Sequence, residues 1–250
     1  MISKKNSRLN LLIIFLLFSG SVFSAEHLEP EDSLYTGISS IEYNQMVLNY
    51  LREANDRDVL ARVFVYPSFE PEYAIGIKKK EESYTIFKIS PTLELWGYET
   101  ISMLKEDLNI AVEDKDIIMA KEAIKEYEET YPKNYLDVPI KRCDVKIQES
   151  LANDIVSLWE QMLLETRYEK SQLFILDGVS YHFSMNIGTQ ILAGQTASPD
   201  KETKPGKLVA LTDAMASFCK KKTKTKLRAL KRSKVSLRKA LESNQQEPAI

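Results

Sequence analysis

A histidine is the side chain best suited to move a proton near neutral pH. Beyond residue 24 the chain has two, His27 and His182. His27 falls in a terminus expected to fray, which leaves His182 as the one serious general base. In SYHFS (180–184) strand alternation sets His182 on one face with Ser180 and Ser184, while Tyr181, Phe183 and Met185 point the other way. A two-residue turn at Asp177 and Gly178 would bring Leu173 opposite His182 and Ile175 opposite Ser180, giving the histidine a partly apolar face. Serines on a flat strand do not make a strained nucleophile elbow, and no G-x-S-x-G sequence occurs. The expected role of His182 is therefore a half-buried structural one; a small periplasmic hydrolase centred on His182 is the alternative.

The two cysteines, Cys143 and Cys219, occur in no recognisable nucleophile sequence. If the chain is exported, they are candidates for a disulfide that closes a loop of roughly 77 residues, worth about 4 to 5 kcal/mol in the loop-entropy model. Two unrelated buried thiols are the other reading. The sequence has no H-x-x-x-H, C-x-x-C or acid-rich calcium loop, so neither metal nor cofactor is expected. Glu70, Glu72, Glu94 and Glu99 lie near Trp96 and Tyr98, and a glycosidase needs such a pair at a defined separation. Solvated surface carboxylates are the expected reading for all four.

Binding is easier to place than catalysis. PSFEPE (67–72) carries Phe69 between prolines, a pre-stiffened apolar tip that orders at low entropic cost, and marks Pro67 and Phe69 as binding candidates. GQTASPDKETKPG (194–206) reads as a long polar loop and adds Gln195. The tail from Lys220 to Leu241 has no acidic residue, and Leu227, Leu230, Leu237 and Leu241 fall on one helical face interrupted by Lys234. Lys226, Arg228, Lys231 and Arg232 are its candidate contacts with an anionic envelope surface, with nucleic acid the less favoured partner; a solvated helix extension that folds back on the acidic body is the other reading.

These residues need a scaffold. Ser39 to Asp56 has helical spacing and a capping box at Ser39 and Glu42. Leu60–Tyr66, Tyr73–Lys78 and Tyr84–Ile89 predict a three-stranded antiparallel meander, and 91–109 reads as irregular structure with some helix. Asp116 to Tyr131 predicts a helix that Pro132 stops. A strand at Cys143–Ile147 precedes a helix capped by Ser150, with its stripe at Leu151, Ile155, Leu158, Trp159 and Met162. The hairpin of Leu173–Leu176 with Val179–Met185 follows, then a strand at Thr189–Gln195 and a helix carrying Leu208, Leu211, Thr212, Met215 and Phe218. The expected architecture is α+β, with helices packed on one face of antiparallel sheet.

The 250 residues are 44% hydrophobic and 28% charged, which excludes a collagen-like or wholly disordered chain. Lys4, Lys5 and Arg8 precede an apolar run from Leu11 to Phe18, and Val22 and Ser24 are small residues before a cut. Residues 1–24 therefore predict a secretory signal peptide. Residues 25–219 form a single domain in this reading, divisible into two similar halves at about 39–135 and 140–219, and 220–250 a basic tail. The tail holds eleven Lys and Arg against two Glu, a net of +9, beside a body of −14. The functional expectation is an exported, soluble interaction protein of the bacterial envelope, periplasmic or secreted, with no integral membrane segment after cleavage. Its partner is a protein or an anionic surface, and an inhibitor or immunity-type protein belongs to this class.

Overall fold

A computed structural model describes residues 26–30, 41–110, 114–167 and 178–243. The expected signal peptide, the Ser39 cap, and the Leu173–Leu176 strand with its Asp177 turn residue lie outside the described residues. No helix among the described residues is long and apolar enough to cross a membrane.

The described chain runs through helix α1 (Ile41–Tyr50), strands β1 (Val59–Pro67), β2 (Tyr73–Lys80) and β3 (Ser83–Pro91), then helices α2 (Trp96–Ile110) and α3 (Asp114–Thr130). It continues through β4 (Ile140–Ile147), α4 (Glu149–Leu164), β5 (Val179–Ile187), β6 (Gln190–Ala197), α5 (Lys204–Lys220) and α6 (Lys224–Ser243). The six strands form one antiparallel sheet in the order β4-β3-β2-β1-β5-β6. The α+β class and the β1–β2–β3 meander are as expected. Strand β5 pairs directly with β1 and carries β6 on its other edge, so strands from both parts of the chain share the one sheet.

Both faces of the sheet are covered, which corrects the expectation of helices on one face. Strand β1 shows why: Ala61, Val63 and Val65 are buried on one side, Arg62 and Phe64 on the other. The first side packs with Ile75, Ile77, Ile86 and Phe183 under α4, α5 and α6 around the fully buried Trp159. Trp159 meets Phe183 edge-on with ring centroids 5.3 Å apart. The second side places Phe64, Phe87 and Ile89 against Tyr43, Val47 and Tyr50 of α1. A strand buried on both faces reads as a nearly continuous apolar run, and VLARVFVYP is one.

Three elements differ from the sequence reading for identifiable reasons. Residues 91–109 contain the regular helix α2, whose first turn is capped from a distance: Glu72 accepts hydrogen bonds from the backbone N–H of Leu95 at 2.7 Å and of Trp96 at 3.0 Å. No local capping signal announces it. Gln148, rather than Ser150, is the N-cap of α4, without a side-chain cap bond. The segment 194–206 is mostly ordered structure: β6 continues to Ala197, and α5 begins at Lys204 with Thr203 Oγ1 accepting from the Gly206 N–H at 3.2 Å. Gly206 is required here, since an added Cβ would lie 1.8 Å from the Asp200 carbonyl oxygen. At the β5–β6 turn Gly188 adopts φ +59°, a left-handed conformation that favours glycine.

Cys143 of β4 and Cys219 of α5 are joined by a disulfide with Cα atoms 5.9 Å apart. Nor do residues 224–243 hang free as a tail. Leu230, Leu237 and Leu241 of α6 are buried in the main core, and Lys234, which interrupts the leucine stripe, forms an ion pair with Asp154 on α4. Arg238 joins the same carboxylate at 2.8 Å. The charge that looked out of register is the side chain that docks the helix.

Candidate functional site

The first side of the sheet is incompletely roofed at one end. Val65 lies in register between Tyr73 of β2 and Tyr181 of β5, so the three side chains form one row across the sheet. Beyond this row β1 ends at Pro67 and the chain turns through Ser68. Ser68 Oγ donates to the Gly178 carbonyl at 2.7 Å and accepts from the Gly178 N–H at 3.0 Å, fastening the loop to the start of β5. The result is an open cleft of about 520 Å³. Its walls include Phe69, Tyr73 and Tyr181, together with Glu70 and Asp213 of α5. Phe69 stands at its mouth with 82% of its surface exposed.

The electrostatics of the cleft follow from partial burial. Lost solvent raises the Asp213 carboxyl above the ordinary carboxylate value, while the Lys88 ammonium acts the opposite way. Burial also raises Tyr181 to about 12, with the Asp213 charge adding to it, and raises Tyr73 for the same reasons. Lys88 lies over the Tyr73 ring, its Nζ 3.6 Å from the centroid, but does not line the cleft. Burial lowers the Lys88 ammonium from its usual value, and Glu70 and Asp213 counter that loss.

No family model, curated protein or solved structure matches the chain. The site must therefore be judged on its own chemistry.

Of the residues proposed from sequence, Pro67 and Phe69 both line this cleft. Gln195 does not. It is fully buried on β6, its Nε2 donating to the Pro30 carbonyl at 2.8 Å, while its backbone pairs with Glu29. This pairing also anchors His27, which is buried with 8% exposure instead of fraying. Arg228, Lys231 and Arg232 are exposed on α6 and Lys226 is partly covered. Tyr73, Tyr181 and Asp213 were missed, since the β2–β1–β5 register brings the two tyrosines together and only the placement of α5 adds Asp213.

His182 shares a face with Ser180 and Ser184 as the alternation implied, and its cross-strand neighbours are Phe64 and Gln195. Both edges of β5 are taken by β1 and β6. The ring packs edge-on to Tyr66 at 4.9 Å, and burial lowers its pKa to about 4. It faces away from the cleft, because adjacent residues of a strand point to opposite sides.

Glu72 departs most from the expectation of a solvated carboxylate. It is 1% exposed and accepts a 2.5 Å hydrogen bond from Tyr43 Oη besides the two from the start of α2. Burial, then the neighbouring Glu72 charge, raises the Tyr43 phenol far above its ordinary value. Glu94 accepts a 3.5 Å hydrogen bond from the Tyr131 hydroxyl. With every carboxylate oxygen of Glu72 receiving a donor, the group acts as a strut between α1, α2 and the β1–β2 loop. Among the described residues no group of three or more His, Cys, Asp and Glu side chains is placed to hold a metal ion.

Proposed function

We propose that the protein is an exported binding protein that holds a small ligand in the cleft beneath Phe69 and performs no chemistry on it. The observation that carries this reading is the cleft itself, with a solvent-facing phenylalanine held at its mouth by Pro67 and the Ser68–Gly178 hydrogen bonds. A large apolar side chain fixed in water has no packing role of its own, and its two prolines limit the entropy lost on binding. A volume of about 520 Å³ falls among small-molecule sites, roughly 300 to 1,000 Å³, and favours such a ligand over a broad protein interface. Export draws support from the Cys143–Cys219 disulfide, since such bridges persist in oxidising compartments. The hydrolase alternative needs His182 in the cleft, and the histidine is on the opposite face of β5.

A fragment screen followed by backbone amide NMR tests the reading. Shifts are expected to gather at Phe69, Tyr73, Val179 and Tyr181 and to weaken at least severalfold in Phe69→Ala. Hits confined to the His182 face, or turnover of an ester abolished by His182→Asn in a folded protein, would favour the hydrolase instead.

The exposed Arg228, Lys231 and Arg232 favour a second surface for anionic lipid. Because α6 belongs to the core, charge reversal of these three residues in the full chain, and not truncation, is the informative variant for vesicle co-sedimentation. Loss of salt-sensitive binding supports that surface; unchanged binding removes it.

A further inference from the structure

Resting on the cleft as the binding site, we propose that its ligand is a small organic cation, a protonated amine carried on an apolar body. The charged side chains among the described residues that line the cleft are Glu70 and Asp213, both carboxylates, and no lysine, arginine or histidine joins them. Apart from the hydrogen-bonded Ser68–Gly178 pair, the remaining walls are aromatic or aliphatic: Phe69, Tyr73 and Tyr181 stand beside Val65, Pro67 and Val179. An aromatic face attracts a cation through its quadrupole, and a carboxylate beside it adds a direct charge partner. An anion would meet two like charges in partly dehydrated surroundings; a neutral apolar molecule would leave Asp213 with less water and no new partner.

The protein already contains one example of the pairing. The Lys88 ammonium rests on the Tyr73 ring at 3.6 Å, in the combined field of Glu70 and Asp213. The same aromatic and acidic groups that receive this ammonium from outside the cleft border the cleft's interior. Asp213 has given up part of its hydration there, and an incoming cation would add a second favourable charge to the one Lys88 supplies. Phe69, at the mouth and 82% exposed, is placed to cover the apolar body of the ligand. Division of labour follows: Glu70 and Asp213 select the charge, and Phe69 supplies affinity without regard to charge.

Isothermal titration of the full chain with three probes of one shape tests this: phenylbutylamine, phenylbutanol and phenylbutyrate. The amine is expected to bind about tenfold or more tightly than the alcohol, and the acid most weakly. The double variant Glu70→Gln with Asp213→Asn, whose fold is checked by near-UV circular dichroism, should remove most of the amine's advantage over the alcohol and leave the alcohol unchanged. Phe69→Ala should weaken amine and alcohol by the same factor. Equal affinity of the three probes for the unaltered protein, with Phe69→Ala still weakening them, overturns the cation preference but leaves the binding cleft. An amine preference that survives the double variant overturns the roles of Glu70 and Asp213. Absence of binding by all three up to about 10 mM overturns both the ligand class and the cleft.

Discussion

Under α4, α5 and α6 the sheet buries an aliphatic core centred on Trp159 and joined covalently by Cys143–Cys219; under α1 it buries tyrosines, phenylalanines and the carboxylate of Glu72. The first side gains stability from apolar area and a crosslink. The second depends on hydrogen bonds that must be complete, because Glu72 and Tyr43 have little water to replace a lost partner. Damage should therefore differ in kind as well as in size. Removing volume from the first side lowers stability in proportion to the apolar surface lost, whereas removing one polar group from the second leaves others unsatisfied. The open cleft belongs to the first side, at the corner where α5 brings Asp213 over the Tyr73–Val65–Tyr181 row.

The largest expected effect comes from deleting α6. Ending the chain at Lys220 removes Leu230, Leu237 and Leu241 from the core, each worth roughly 2 to 5 kcal/mol as a leucine-to-alanine change. Together the three are comparable with the whole stability of a typical domain, about 5 to 15 kcal/mol. The truncated protein should show no cooperative thermal transition by circular dichroism; a transition like that of the full chain would mean that α6 is not part of the core.

Replacing both cysteines by serine should lower stability by about 4 kcal/mol, as expected for a crosslink spanning 76 positions. Urea unfolding with and without reductant measures it. A change below about 1 kcal/mol would show that the bridge constrains the unfolded chain little.

On the other side, Glu72→Ala should cost roughly 3 kcal/mol, because the Leu95 and Trp96 N–H groups and the Tyr43 hydroxyl lose their acceptor together. Glu72→Gln should cost less, since its carbonyl oxygen still accepts. Equal losses for the two would mean that packing, and not acceptance, is what Glu72 provides.

A subtler comparison uses pH. His182, between Tyr66, Phe64 and Gln195, has a folded pKa of about 4 against 6.5 in the unfolded chain. Between those values the unfolded state binds the extra proton, so its contribution is intact above about pH 6.5 and falls as the pH drops toward 4. The full difference is about 3 kcal/mol at roughly 1.4 kcal/mol per pH unit. Stability measured from pH 7 to pH 4 should fall more steeply in the unaltered protein than in His182→Asn. Parallel profiles would show that His182 reaches solvent freely.

Much of this architecture was legible because short-range pattern carried it. The strands of the meander alternate or run apolar, and the helical stripes of α4 and α5 reappear as buried residues. What escaped was information held at long range. Glu72 caps α2 from more than twenty positions upstream, Asp154 turns Lys234 from an interruption into a docking contact, and β5 chooses β1 as its neighbour. The cleft was half legible for the same reason: Pro67 and Phe69 advertise an exposed tip locally, whereas Tyr73, Tyr181 and Asp213 meet only through sheet register and the placement of α5.

The most direct test of the central claim is a crystal structure of the protein soaked with phenylbutylamine. Its ammonium is expected within about 4 Å of the Asp213 or Glu70 carboxylate, the distance that defines an ion pair, and its phenyl ring against Phe69. An amine seated elsewhere, or one in the cleft with its charge turned away from both carboxylates, would contradict it.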